Sequence, residues 1–211
     1  ADRLVRGMSA DGPRQRNVEN NDAVEHYDDN PEKAKAILES IVCTMGEAGY
    51  DERNDAEIGF VISGMAGEQD RIDIAQAAAQ EWREVGSHCT VDMPAKMDWG
   101  GQQACLIGWG SPCDADDHTY KVFGTDKGAN YSGYANEKVD EYLTKARESS
   151  DPAVRKEYYD LFQIELANDP AYAFICYIDA NYVASARLHG ISTDTVMGHH
   201  GVGIFWNVCE W

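Results

Sequence analysis

Residues 104–123 read Ala104-Cys105-Leu106-Ile107-Gly108-Trp109-Gly110-Ser111-Pro112-Cys113-Asp114-Ala115-Asp116-Asp117-His118-Thr119-Tyr120-Lys121-Val122-Phe123, and they decide the fold class. The first four residues form a short apolar run of the kind that makes a buried strand. The run breaks at Gly108-Trp109-Gly110 and empties into an acidic loop carrying Asp114, Asp116, Asp117 and His118. Open α/β sheets bind ligands at the carboxyl ends of their strands, and loops held by a rigid scaffold carry function. This stretch is therefore the first candidate for a binding site.

Working outward, the segment before it supplies a sheet. Ala56–Ser63 reads as a strand, Gly64 and Gly67 as a turn, and Glu68–Val85 as a helix. In that helix Ile74, Ala78, Trp82 and Val85 form an apolar stripe suited to packing on a sheet. Gly86 is placed as the helix C-cap, and Ser87–Met93 follows as another strand. Strand, helix, strand with short links is a βαβ unit, which favours parallel pairing. Pro94–Gln103 is a polar loop containing Trp99.

Upstream, residues 1–30 are polar and irregular and read as a connector. Asn30-Pro31 has the chemistry of a helix start, since Asn caps and Pro is pre-set for the first helical position. That helix is expected to run to about Ala48, with Ala34, Ile37, Leu38, Ile41 and Met45 facing inward. Downstream, 124–135 is read as loop. Asn136 caps a helix reaching about Glu148, with Val139, Tyr142, Leu143 and Ala146 inward. Asp151-Pro152 starts another, with Val154, Tyr158, Leu161, Phe162 and Leu166 inward. Tyr172–Ile178 and Asn181–Leu188 are β-branched and aromatic runs that predict a strand pair. The tail ends in Phe205, Trp206 and Trp211.

Composition limits the function classes. Of the 211 residues, 18 are basic and 37 acidic, a net charge of −19. Such a surface repels phosphate backbones and anionic headgroups, which argues against nucleic acid and peripheral membrane binding. No run approaches the roughly 20 apolar residues needed to span a bilayer. Any secretion leader would lie upstream of Ala1. The six cysteines, Cys43, Cys89, Cys105, Cys113, Cys176 and Cys209, show no C-x-x-C pair and no zinc-ligand spacing. They read as free core thiols, although an even count would permit disulfides.

Taken in order, several segments resemble the family 5 extracellular solute-binding proteins, the peptide- and nickel-binding components of ABC importers. Asn30–Lys35 (NPEKAK) is similar to that family's "pekAk" helix start, and Ala75–Gly86 to its helix ending in "lkeiG". Ile107-Gly108-Trp109-Gly110 resembles its "l-x-G-W" strand end. Asn130–Asp140 (NYSGYANEKVD) is similar to "NysgysNpevD", and Asp151–Arg155 to "DpeeR". The resemblance implies an α/β fold with a mixed sheet flanked by helices, one lobe of a two-lobed type II (cluster C) periplasmic-binding-protein fold. It begins in the family's middle. It therefore implies a connector at 1–30 from a first lobe, a C-terminal ligand-binding lobe at 31–190, and a return segment at 191–211.

The functional expectations come from the same resemblance. Such proteins close two lobes on a ligand in the cleft between them and deliver it to a membrane permease. Short peptides are the expected ligand class, and a nickel chelate is the runner-up. The implied ligand-binding residues are Trp109, Gly110, Ser111, Cys113, Asp114, Asp117 and Tyr131, with no cofactor and a monomeric state. The protein would be periplasmic or extracellular, secreted or anchored as a lipoprotein.

One departure bears on the ligand. Peptide binders of the family place an Asp three residues after the Trp to hold the ligand's α-amino group, and here that position is Pro112. Trp109–Asp114 looks instead like the W-G-x-P-Y-D stretch of nickel-chelate binders, with Cys113 replacing the tyrosine.

Each of these residues also has a plain structural reading. Trp109 could plug the core at a strand end, and one of the three aspartates could cap a helix before His118-Thr119-Tyr120. His118, the one metal-ligand candidate, is placed on the solvated face of a short helix. The neighbours His199 and His200 would point apart on a strand, which disfavours a shared ion. A metal-dependent hydrolase using His118, Asp114 and Asp117 is the reading from a different class, and no H-E-x-x-H or comparable motif supports it. Cys113 has no recognisable His and acid partners for nucleophilic chemistry.

Overall fold

A computed structural model describes residues 30–40, 50–51, 56–57, 59–109, 114–176, 183–190 and 209. They fall into two compact units, one ending at Gly108 and the other taking up the chain at Trp109.

The first unit opens with α1 (Pro31–Ser40). Its start is built as the sequence predicts: Asn30 Oδ1 accepts from the Lys33 amide at 2.9 Å. The continuation to Ala48, with Ile41 and Met45, lies outside the described residues. Of the expected inward face, Ala34 and Leu38 are half-buried but Ile37 is exposed. Next, β1 (Tyr50–Asp51) and β2 (Ala56–Glu57) form a short antiparallel pair. The single strand expected over Ala56–Ser63 is thus two elements, because β2 pairs backwards while β3 (Gly59–Ser63) joins a different sheet.

The βαβ unit is present. β3 pairs in parallel with β4 (His88–Asp92), Phe60 opposite Cys89 and Ile62 opposite Val91. Between them runs α2 (Gln69–Glu84). Its end is a Schellman motif: the Gly86 amide donates to the Arg83 carbonyl and the Ser87 amide to the Trp82 carbonyl, both at 3.0 Å. Gly86 sits at φ 97°, the left-handed conformation the motif requires. The expected stripe holds in part, since Val85 is buried and Ala78 packs against the sheet cluster, but the centre of the packed face differs. Ala75 and Ala79 are fully buried with Ile62 and Cys89, whereas Ile74 and Ala78 are half-buried and Trp82 is exposed. Small side chains let the helix approach the sheet closely; Trp82 lies at the rim, edge-on to Phe60 at 5.2 Å.

The strand expected at 104–107 is shorter and less buried than its apolar run suggests. Only Ala104–Cys105 (β5) is strand, parallel to the end of β3 at the edge of a sheet ordered β4-β3-β5. Residues 104–107 are half-buried. Leu106 N–H still reaches the Ser63 carbonyl at 2.8 Å, and Gln103 Oε1 takes the Val61 amide at 2.9 Å where no strand continues the ladder.

The second unit is a three-helix core. α3 (Ala115–Phe123), α4 (Glu137–Glu148) and α5 (Pro152–Asn168) bury Val122, Phe123, Val139, Leu143, Ala146, Tyr159, Phe162 and Leu166 together. Each large apolar side chain so buried stabilises the fold by about 1.5–3 kcal/mol. All three helices start on a side-chain cap from Asp114, Asn136 and Asp151. The inward face of α4 is as expected. On α5, Leu161 proves exposed while Tyr159 and Gln163 are buried; Gln163 Nε2 donates to the Tyr159 carbonyl at 3.1 Å.

The strand pair expected at 172–188 is not seen among the described residues. Residues 171–176 hold only a single bridge at Cys176, and 183–190 are irregular with a turn closed by the Leu188 amide on the Ser185 carbonyl; Val183 is fully exposed. The link at 177–182, the 1–29 segment, and the tail with His199, His200, Trp206 and Trp211 lie outside the described residues. Cys89, Cys105, Cys176 and Cys209 are free thiols. Burial pushes the first three above the usual thiol range.

Candidate aromatic ligand wall

Trp109 belongs to the helical unit and packs against the core of α3, α4 and α5. The Tyr131 ring stacks nearly parallel to it, with centroids 6.2 Å apart and planes at 11°. The His118 ring lies 5.5 Å away, tilted by 44°. Among the described residues the Trp109 Nε1–H is buried without a hydrogen-bond partner. A buried donor left unpaired costs about 1–3 kcal/mol. Tyr131 is 39% exposed, so the stack has an open side.

His118 does not lie on a solvated helix face. Its side chain is 23% exposed, covered by the indole, and its Nε2 is 4.0 Å from Asp117 Oδ2. The helix itself replaces the acidic loop expected from the sequence, because Asp114 caps it: Asp114 Oδ1 accepts from the Asp116 amide at 2.8 Å.

The three aspartates are each matched by a different cation. Asp114 Oδ1 takes Arg155 of α5 at 2.7 Å, Asp116 Oδ2 takes Arg147 of α4 at 3.3 Å, and Asp117 Oδ1 takes Lys121 one turn on at 2.9 Å. The hydrogen bond from Lys121 holds the Asp117 carboxyl below the usual carboxylate range. These are mostly exposed pairs worth about 0–1 kcal/mol each. Their greater effect is to tie α3 to both neighbouring helices and to balance its charge. Among the described residues no three His, Cys, Asp or Glu side chains are grouped to hold a metal ion.

The loop that presents Tyr131 is organised by Asn130. Its Nδ2 donates to the Gly124 and Tyr134 carbonyls at 2.9 and 2.7 Å, and its Oδ1 accepts from the Tyr134 amide at 3.1 Å. Of the expected site residues, the structure thus brings together Trp109, Tyr131 and His118. It places Asp114 and Asp117 on the first turn of α3, while Gly110, Ser111 and Cys113 lie outside the described residues. Asn130 is an addition to the expected set, although an Asn before Tyr-Ser-Gly-Tyr has the chemistry of a self-bonded turn. Arg147 and Arg155 carry no local signal, being 31 and 41 residues from their partners.

No family model matches the chain. Protein XP55 of Streptomyces lividans is 31% identical over 170 residues, 76% of this chain and 31% of that protein. The structure of NikZ from Campylobacter jejuni in complex with Ni(L-His) superposes with a TM-score of 0.83 at 35% identity, covering 97% of this chain and 43% of that one. The oligopeptide-binding protein AppA from Bacillus subtilis, in complex with a nonapeptide, shares the fold with a TM-score of 0.70 at 21% identity, over 81% of this chain and 36% of that one. The chain spans about a third of the length of the curated relatives it matches. By this identity and this fold, the chain resembles part of the family 5 extracellular solute-binding proteins.

Proposed function

We propose that the chain is the ligand-binding lobe of the substrate-binding component of an ABC importer. It takes small peptides in an inter-lobe cleft and hands them to the membrane permease subunits. Residues 31–190 would form the lobe, 1–30 the connector from a first lobe, and 191–211 the return toward it. The mechanism is ligand-dependent closure about a hinge, with no covalent step. The protein would act in the periplasm or outside the cell as a monomer, secreted or lipoprotein-anchored.

The observation that carries this reading is the Trp109–Tyr131 stack with its open side, held on a rigid helical core. An aromatic face supplies apolar area and attraction for a cationic group. The unpartnered indole N–H would take a carbonyl or carboxylate oxygen of the ligand. Gly110, Ser111 and Cys113 would continue this wall, with Asp114 and Asp117 at its acidic edge. A nickel chelate is the second reading, favoured by the likeness to NikZ, which was solved with Ni(L-His).

Calorimetric titration of the chain with L-Ala-L-Ala, and separately with nickel and L-histidine, tests both. A lobe alone supplies part of the cleft, so binding should be weak, with Kd on the order of 1 mM, or about −4 kcal/mol. Heat from only one of the two titrants chooses between the readings. Sub-micromolar binding of either would contradict a half-built cleft.

A further inference from the structure

A cavity lies wholly within the first unit, at the carboxyl ends of β3 and β4, where parallel sheets place ligand sites. Its volume is about 240 Å³, and its lining includes Ser63, Asp92, Lys96, Met97, Asp98 and Gln102. Pockets for drug-sized molecules run roughly 300–1,000 Å³. This one suits a single amino acid or a peptide end.

The charges around it are unequal in how they are used. Asp98 is committed to its own turn, its Oδ1 accepting from the Gly100 amide at 3.2 Å. Lys96 and Asp92 have exposed side chains, and among the described residues neither makes an ion pair or a side-chain hydrogen bond. In a chain with 37 acidic side chains, a cavity lysine that makes no ion pair among the described residues is available to an incoming anion. Gln102 adds a polar group: its Nε2 donates to the Trp99 carbonyl at 2.9 Å, while its Oε1 is buried without a partner.

We propose that this pocket binds the zwitterionic head of a small amino-acid-like ligand, its carboxylate on Lys96, its ammonium on Asp92, and a donor of the ligand on Gln102 Oε1. The proposal rests on reading the chain as a solute-binding lobe, but it concerns residues separate from the Trp109 wall. Opposite charges held by opposite charges select for a zwitterion and reject molecules lacking either end.

The test is a ¹H–¹⁵N spectral titration of the ¹⁵N-labelled chain with L-alanine, N-acetyl-L-alanine and L-alaninamide. L-Alanine should give saturable shifts at the Ser63, Asp92, Lys96 and Gln102 amides, with each blocked analogue at least tenfold weaker. Lys96→Met should weaken L-alanine at least tenfold, and Asp92→Asn should narrow the gap between L-alanine and its N-acetyl form. Both side chains are exposed, so the variants should keep the wild-type spectrum elsewhere. Shifts confined to Trp109 and Tyr131 would overturn the pocket while leaving the importer reading standing. Equal binding of all three probes, or no shift at the pocket up to 50-fold above the expected millimolar range, on the order of 50 mM, would overturn it too.

Discussion

Replacing the half-buried Asn136 by alanine should loosen the helical unit. The Asn136 Oδ1 accepts from the Lys138 and Val139 amides at 3.0 and 3.3 Å, capping α4. Its Nδ2 reaches across to Glu165 Oε1 at 3.3 Å and Asp169 Oδ2 at 3.0 Å at the far end of α5. Loss of the cap costs about 1 kcal/mol. The two bonds to carboxylates are shared with solvent and add about 0.5–1 kcal/mol. The sum is about 2 kcal/mol. Asn136→Ser keeps the cap and loses the crossing bonds. Asn136→Asp also keeps the cap but sets a third carboxylate against Glu165 and Asp169. Both should therefore fall between wild type and alanine, at a cost of about 1 kcal/mol. Because the chain holds two units, native-state hydrogen exchange at the Val139 and Leu143 amides reads the effect where it arises. An alanine variant whose opening free energy changed by less than about 0.3 kcal/mol, against the 0.5–2 kcal/mol typical of a lost cap, would show that Asn136 does not hold the two helices together. So would an aspartate variant more stable than wild type.

Two further outcomes are expected. Gly86→Ala forces a Cβ into the left-handed conformation of the Schellman turn and should cost about 1–2 kcal/mol, measured by urea unfolding with an unchanged m-value. Burial, with the Asp169 charge behind it, pushes the Tyr134 phenol up to about 12. A folded value raised above the unfolded value of about 10 contributes stability that is complete below pH 10 and fades as the pH rises toward 12. Thermal scans across that window should show a falling Tm in wild type and a shallower fall in Tyr134→Phe.

What the sequence reveals of this fold depends on the range of the interactions. Caps at Asn30, Asn136 and Asp151 and the glycine stop at Gly86 are settled within four residues, and all are readable from local chemistry. The βαβ order is readable too, since strand and helix differ in apolar period. The face of α2 is not, because Ala75 and Ala79 are buried for their smallness while hydropathy favours Ile74 and Trp82. Hydropathy turns Leu161 and Ile37 inward for the same reason, and both are exposed. At the site, Trp109 stands out as an aromatic at a strand end. The acidic run beside it reads as a loop, since its match to Arg147 and Arg155 exists only once α4 and α5 are docked. Nothing local to His118 signals that the indole nine residues earlier covers it.

That Trp109 and Tyr131 form a ligand wall is tested most directly by the indole Nε1–H resonance of Trp109 during titration with L-Ala-L-Ala and with nickel and L-histidine. One of these titrants should move the resonance saturably, with a Kd on the order of 1 mM. Tyr131→Ala should weaken that response by about 1 kcal/mol, or roughly fivefold, as expected for one lost aromatic contact. An indole resonance that neither titrant moves, while other residues of the chain respond, would contradict the wall.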